Sequence, residues 1–296
     1  MLMKPSDMKQ NQPTLLAVLA HPDDETFGTG GTLALYAQKG MAVHLVCATR
    51  GEVGTVDENL LNGGSIADVR MNELRCAAGI LGITSVHFLD YRDSGMSGSP
   101  ENIHPNALAA APLEEATERI VKFIRMLRPQ VVITFDPVGG YRHPDHIAIH
   151  QATVCAFFAS GDPNRFPCGF PAYAPQKLYF QSIPRGFLRF MIWLMPLLGR
   201  NPRYWGKNGD IDMVSIAKVN YPMHARVNYQ PVSDIRDRAS ACHASQGGGG
   251  FTTGIYGWIR KRFAGYEGYM RAFPVKPAGE PFEMDLFAGV NFEDTL

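Results

Sequence analysis

Four short, continuously apolar runs, each followed by a helical pattern or a loop, are the strongest constraint on how this chain folds. They are TLLAVLA (14–20), AVHLVCAT (42–49), SVHFLD (85–90) and VVITFD (131–136). A strand that is apolar on both faces must be covered on both faces, and helices between successive strands supply that cover. The intervening patterns near 31–39, 65–81 and 112–127 read as those helices. In the second, Ser65 with Asp68 three residues on forms a capping box, and Ile66, Val69, Leu74, Ala77, Ala78 and Leu81 form one stripe. In the third, Leu113, Ala116, Ile120, Phe123 and Leu127 form the stripe, with Pro112 suited to the first turn and Pro129 beyond the end. The pattern predicts an α/β fold: a Rossmann-like, mostly parallel sheet with helices on both faces.

The second half is less regular and predicts an elaborated C-terminal part. Residues 160–176 are rich in Pro and Gly. KLYFQSI and IDMVSIAKV read as strands, VSDIRDRASACHAS as a helix, and QGGGG as a break before a helix over about 255–272. We read residues 1–13 as a flexible N-terminal segment and 14–296 as one domain, with an insertion at 185–209. Within it, FLRFMIWLMPLL (187–198) is too short for the ~20 residues of a spanning helix and contains Arg189 and Pro196. It suits a core or subunit-interface helix, a lid, or a peripheral membrane contact, and an interface role goes with a homo-oligomer.

Charge excludes some partners. Lys+Arg and Asp+Glu both total 28, which gives no basic footprint for nucleic acid. The five cysteines contain no CxxC pair, which reads as reduced, partly buried thiols in a cytoplasmic protein.

Chemistry is concentrated where strands end. HPDDE (21–25) follows the first strand and GGYRHPDH (139–146) follows the fourth, and open α/β sheets bind ligands at the carboxyl ends of their strands. Gly28, Gly30 and Gly31 suggest a dinucleotide loop, but Asp23, Asp24 and Glu25 would repel a pyrophosphate there. Imidazoles and carboxylates together suit a divalent cation. His21, an aspartate of the DD pair and His146 can supply three ligands, leaving a position for water and a carboxylate to take its proton. Spacing alone does not separate Asp23 from Asp24. His146 and His150, four apart on a helix, form a competing pair. The glycines are read as giving a substrate close access to the backbone.

The AHPDDE turn at 20–25 and the HPDH turn at 143–146 resemble the LmbE/PIG-L family of zinc-dependent N-acetylglucosamine deacetylases. The resemblance continues through Arg70 and Glu73, YRDSGM (91–96), Tyr141 and HASQ (243–246), and covers roughly 14–250. It implies that His21, Asp24 and His146 bind one zinc ion per chain, a site that other divalent metals such as Fe2+ also fit, and that Asp23 is the general base. It implies further that His143, held by Asp145, acts on the tetrahedral intermediate or the leaving amine beside Tyr141. Arg70 and Asp93 match sugar-binding positions of the mycothiol branch, and His243 would reach the pocket rim. Arg142 and the 185–209 insertion depart from that branch. The implied activity is a metal-dependent amide hydrolase that removes acetyl from an N-acetylglucosamine-containing small molecule or glycoconjugate. The alternatives are a thiol S-conjugate amidase and a glycolipid de-N-acetylase.

Overall fold

The computed structural model describes residues 12–61, 63–182, 185–205, 209, 211–219, 221–249 and 265–292. The strands are β1 (Thr14–Leu19), β2 (Ala42–Cys47), β3 (Ser85–Phe88), β4 (Val131–Thr134), β5 (Lys177–Ser182), β6 (Ala225–Asn228) and β7 (Tyr266–Phe273). The helices are α1 (Asp24–Gly28), α2 (Gly30–Gln38), α3 (Glu58–Leu61), α4 (Ile66–Leu81), α5 (Leu113–Leu127), α6 (Gly139–Arg142), α7 (Pro144–Ala159), α8 (Arg185–Leu197), α9 (Met213–Ile216) and α10 (Ser233–Cys242).

One seven-stranded sheet runs in the order β3-β2-β1-β4-β5-β7-β6. The first five strands pair in parallel, and β7 is antiparallel to both of its neighbours, β5 and β6. Every residue of β1, β2 and β4 is buried, as uninterrupted apolar runs require. β1 and β4 are neighbours, with Leu15, Leu16 and Ala17 opposite Val131, Val132 and Ile133. In-register parallel strands end together, so this pairing sets the turn after β1 beside the turn after β4.

The helix signals are realised locally. Ser65 Oγ accepts from Asp68 N and the Asp68 carboxylate accepts from Ser65 N, so the capping box of α4 is closed at both ends. Gly82 ends that helix in the left-handed conformation. Pro112 stands one residue before the helix, at the cap of α5 rather than in its first turn.

Three readings change. IDMVSIAKV contains a short helix, α9, because the Asp212 side chain accepts from both Val214 N and Ser215 N and caps a helical turn. Of the segment read as a helix over 255–272, residues 266–273 form a strand fixed by pairing on both edges; residues 255–264 lie outside the described residues, as do 1–11 of the N-terminal segment. The reduced-thiol reading fails for two cysteines, since Cys76 on α4 and Cys242 on α10 form a disulfide.

In α8, Leu188 and Met195 pack on Met213, while Phe190, Trp193 and Leu197 face outward. Among the described residues no helix is long and apolar enough to cross a membrane.

Candidate metal centre

Two turns build the site. The first leaves β1 at Ala20 and enters α1 at Asp24. The second follows β4 through α6 to His143, which caps α7. His21 Nδ1 lies 3.2 Å from His146 Nε2. The nearest Asp24 oxygens lie 3.6 Å from His21 Nδ1 and 3.5 Å from His146 Nε2. A tetrahedral cation with ligand bonds of about 2.0–2.2 Å sets its ligand atoms about 3.3–3.6 Å apart. The three side chains therefore fit a divalent metal, and all three are buried.

The ring nitrogens point the right way. His21 Nε2 donates to Asp145 Oδ2 at 3.0 Å, so Nδ1 is the nitrogen that faces His146 and Asp24 and would ligate a cation. Burial alone would lower the His21 pKa, but Asp93, Asp145 and Asp24 together raise it well above the usual value, so without a cation Nδ1 also carries a proton, which a bound metal has to displace. Burial holds His146 down to about 4, neutral as a ligand must be. Burial would raise Asp24, yet His146 and His21 hold its carboxyl well below the usual range.

Asp23, the next side chain along the turn, is drawn the other way. Burial lifts it to about 7, against the opposing charge of Arg70. Its backbone has φ 130, a conformation that residues with a Cβ rarely adopt. Two adjacent carboxylates thus differ in protonation because at Asp24 the His146 and His21 imidazoles outweigh burial, whereas at Asp23 burial and the neighbouring Asp24 charge outweigh Arg70 and the imidazoles.

Several predicted residues are placed differently from the expectation. The Asp145 carboxylate does not hold His143; it accepts from His21 Nε2, from Ser94 N at 2.9 Å and from Ser94 Oγ. What meets His143 is the Asp145 main chain, whose N–H donates to His143 Nδ1 at 3.2 Å. That bond puts the proton of a neutral His143 on Nε2. Burial, with the nearby His21 and His146, drives His143 down to about 2, so the ring is neutral, not charged. His143 nevertheless has a ring nitrogen within 4.8 Å of ligand atoms on both His21 and His146. The Tyr141 ring lies edge-on to His146 and His143, at 4.9 and 5.9 Å between centroids, and burial raises its hydroxyl's pKa, keeping it a donor. His150 joins no candidate ligand group with His146 among the described residues; its Nδ1 bonds to the Phe135 carbonyl and its ring packs on Phe180.

Arg70, Asp93 and His243 are nearly or wholly buried. Arg70 Nη2 donates to the Pro22 carbonyl at 2.7 Å and to Asp23 Oδ2 at 3.2 Å, and Nη1 to the Gly51 carbonyl at 3.2 Å. Asp93 accepts from Gly95 N at 2.8 Å and stands 3.5 Å from His21 Nε2. His243 has 0% exposure and does not reach a rim; its Nε2 lies 2.6 Å from Glu25 Oε1. Burial would lower its pKa, but Glu25 raises it.

The glycine cluster serves packing rather than substrate access. A Cβ on Gly31 would stand 2.2 Å from the Tyr229 ring. The N–H groups of Gly31 and Thr32 donate to the Glu267 carboxylate at 2.9 and 2.7 Å. An acidic side chain thus occupies the α2 N-terminus that a pyrophosphate would need. Sequence reading missed Glu267, which carries no local pattern, and gave Ser94 no role although it stands in the YRDSGM motif; each matters through a partner at least 51 residues away.

The PIG-L family, described as GlcNAc-PI de-N-acetylase, matches residues 16–157. A 1D-myo-inositol 2-acetamido-2-deoxy-alpha-D-glucopyranoside deacetylase of Acidothermus cellulolyticus is 37% identical over 290 residues, covering 94% of this chain and 95% of that one. Among solved structures, N,N'-diacetylchitobiose deacetylase from Pyrococcus horikoshii aligns with a TM-score of 0.61 at 20% identity, covering 93% and 92%. The 4-carboxy-2-hydroxymuconate hydratase of Pseudomonas putida aligns with a TM-score of 0.59, also at 20% identity, covering 91% and 100%. The two solved structures share the fold but are named for different chemistry, so function has to be argued from the site.

Proposed function

The chain belongs to the PIG-L family, and from that premise we propose that it hydrolyses the acetamide of an N-acetylglucosamine unit in a small molecule or glycoconjugate, releasing acetate and a free amine. The observation that carries this reading is the convergence of His21, Asp24 and His146 at metal-ligand spacing with the Asp23 carboxyl on the adjoining residue. We assign zinc to those three side chains; bound there, it supplies Lewis-acid polarisation of the acetyl carbonyl and makes water more acidic.

The chain's own groups do the rest. Asp23, as the carboxylate, takes a proton from the attacking water. The Nε2–H of His143 and the Tyr141 hydroxyl donate to the carbonyl oxygen as it gains charge. As the C–N bond breaks, the departing amine takes from Asp23 the proton that Asp23 removed from water. Asp145, through His21, fixes which imidazole nitrogen faces the cation. Arg70 holds the Asp23 carboxylate and the turn beneath it. Arg70 commits Nη2 to Pro22 and Asp23 and one Nη1 hydrogen to Gly51, so the sugar-hydroxyl contact that the resemblance implies for it would draw on Nε or the second Nη1 hydrogen.

The relative's substrate is the first to try, because similarity to it runs through nearly the whole of both chains. Acetate release from an N-acetylglucosaminyl inositol, abolished by a chelator and restored by zinc, is the expected result. No release from this or any other N-acetylglucosamine conjugate by metal-loaded protein would reject the reading. Faster turnover of an N-acetylglucosaminyl phosphatidylinositol would name a glycolipid as the preferred conjugate.

A further inference from the structure

Asp23, the base of the proposed reaction, stands on a conformation its own residue type disfavours. With φ 130 and ψ −29, it lies where a side-chain-bearing residue is rarely found and persists only if the surroundings over-determine it. The surroundings act on one peptide group. The Pro22 carbonyl accepts from Arg70 Nη2 at 2.7 Å, and the N–H at the other end of the same peptide, that of Asp23, donates to Glu25 Oε2 at 3.0 Å. The orientation of this peptide plane sets the φ of Asp23, and through it the direction of the Asp23 side chain.

Glu25 is itself held. Its other oxygen, Oε1, lies 2.6 Å from His243 Nε2, and both side chains have 0% exposure, so water does not compete for the bond. A carboxylate only accepts, so Nε2 is the donor. His243 is the residue at which α10 ends. Its neighbour Cys242 is bonded to Cys76 on α4, the helix that also carries Arg70. Both grips on the Pro22–Asp23 peptide therefore trace back to one joined pair of helices.

We infer that His243 is a positioning residue for hydrolysis: through Glu25 it holds the Pro22–Asp23 peptide in the plane that aims the Asp23 carboxylate at the reacting water. The inference rests on Asp23 being the base.

The test uses zinc-loaded full-length enzyme. His243→Leu is expected to lower kcat about 10–100-fold, the range for losing a partner of an active-site group, with KM within about threefold and zinc content unchanged. His243→Gln, whose amide can still donate to Glu25, is expected to recover most of that loss. Glu25→Gln/His243→Leu should fall no further than the worse single variant, since both act on one peptide. A His243→Leu enzyme within twofold of the parent kcat would overturn the proposal. Loss of zinc in that variant with no recovery by Gln, or additive losses in the double variant, would also overturn it. If His243→Leu fails to fold, the same decision falls to Glu25→Gln, whose kcat should drop at constant KM and zinc. Asp23→Asn is assayed alongside. Full activity there removes the base itself, whereas an inactive Asp23→Asn beside an unaffected His243→Leu rejects the positioning role alone.

Discussion

At the scale of the residue, the centre works by giving chemically alike neighbours unlike surroundings. Asp24 faces two imidazoles and is held ionised, whereas Asp23 is lifted to about 7 by burial. Asp23→Asn keeps the shape and removes the basic oxygen. It should retain zinc and lose about 10²–10⁴-fold in kcat, read by metal analysis and steady-state kinetics on one preparation. His143→Ala should likewise cut turnover while keeping zinc; a metal-free variant would make His143 a ligand. The pH dependence has a definite sign. Asp23 acts only as the carboxylate, so activity falls as pH drops through its pKa. A bound dication favours the carboxylate, placing the acid limb of kcat/KM below 7. Arg70 also favours it, so Arg70→Met should move that limb upward, and an unmoved limb would detach Arg70 from the base.

At the scale of the element, the termini of α4 and the flank of α5 show where sequence signals acquire energy. Ser65→Ala opens the α4 capping box and should cost about 1 kcal/mol in urea unfolding. Arg125, on α5, is buried and donates to four main-chain carbonyls of one loop: Ser160 at 3.0 Å, Asp162 at 2.7 Å, Arg165 at 2.8 Å and Phe166 at 2.6 Å. Arg125→Met strips those acceptors of their donor and should cost about 3 kcal/mol. The periodicity of α5 marks its apolar stripe but cannot announce this anchor, because a lone arginine in a helix reads as solvated surface. In α8 the run from 187 to 198 is correctly read as helical and too short to span, yet only packing on Met213 decides which of its apolar side chains turn inward.

At the scale of the whole molecule, the parts of the site come from opposite ends of the chain and are locked together by the sheet and one cross-link. Cys76 and Cys242 are 166 residues apart. A link closing so long a loop stabilises by about 5 kcal/mol in the chain-entropy view, against a usual range of about 2–4. Reduction or Cys76→Ser should lower the melting temperature by roughly 10–20 °C, at about 2–4 °C per kcal/mol in a large domain. Calorimetry with and without reductant checks this, and an unchanged transition after both thiols have been alkylated would refute it.

The sequence by itself determined the parallel sheet from its continuous apolar strands, and placed His21, Asp23, Asp24, His143 and His146 at two strand ends. Both are short-range information: a run of side chains fixes a strand, and a tight turn keeps its polar residues together. Tertiary structure alone decided that β1 and β4 are neighbours, and therefore that the two turns face each other. It decided that Asp145 serves His21 rather than His143, that Glu267 fills the α2 N-terminus, and that His243 braces Glu25 from 218 residues away. A carboxylate and an imidazole carry no mark of their partner in one dimension. The partner is set by which buried groups the packed chain brings within hydrogen-bonding distance, where leaving either unpaired is costly.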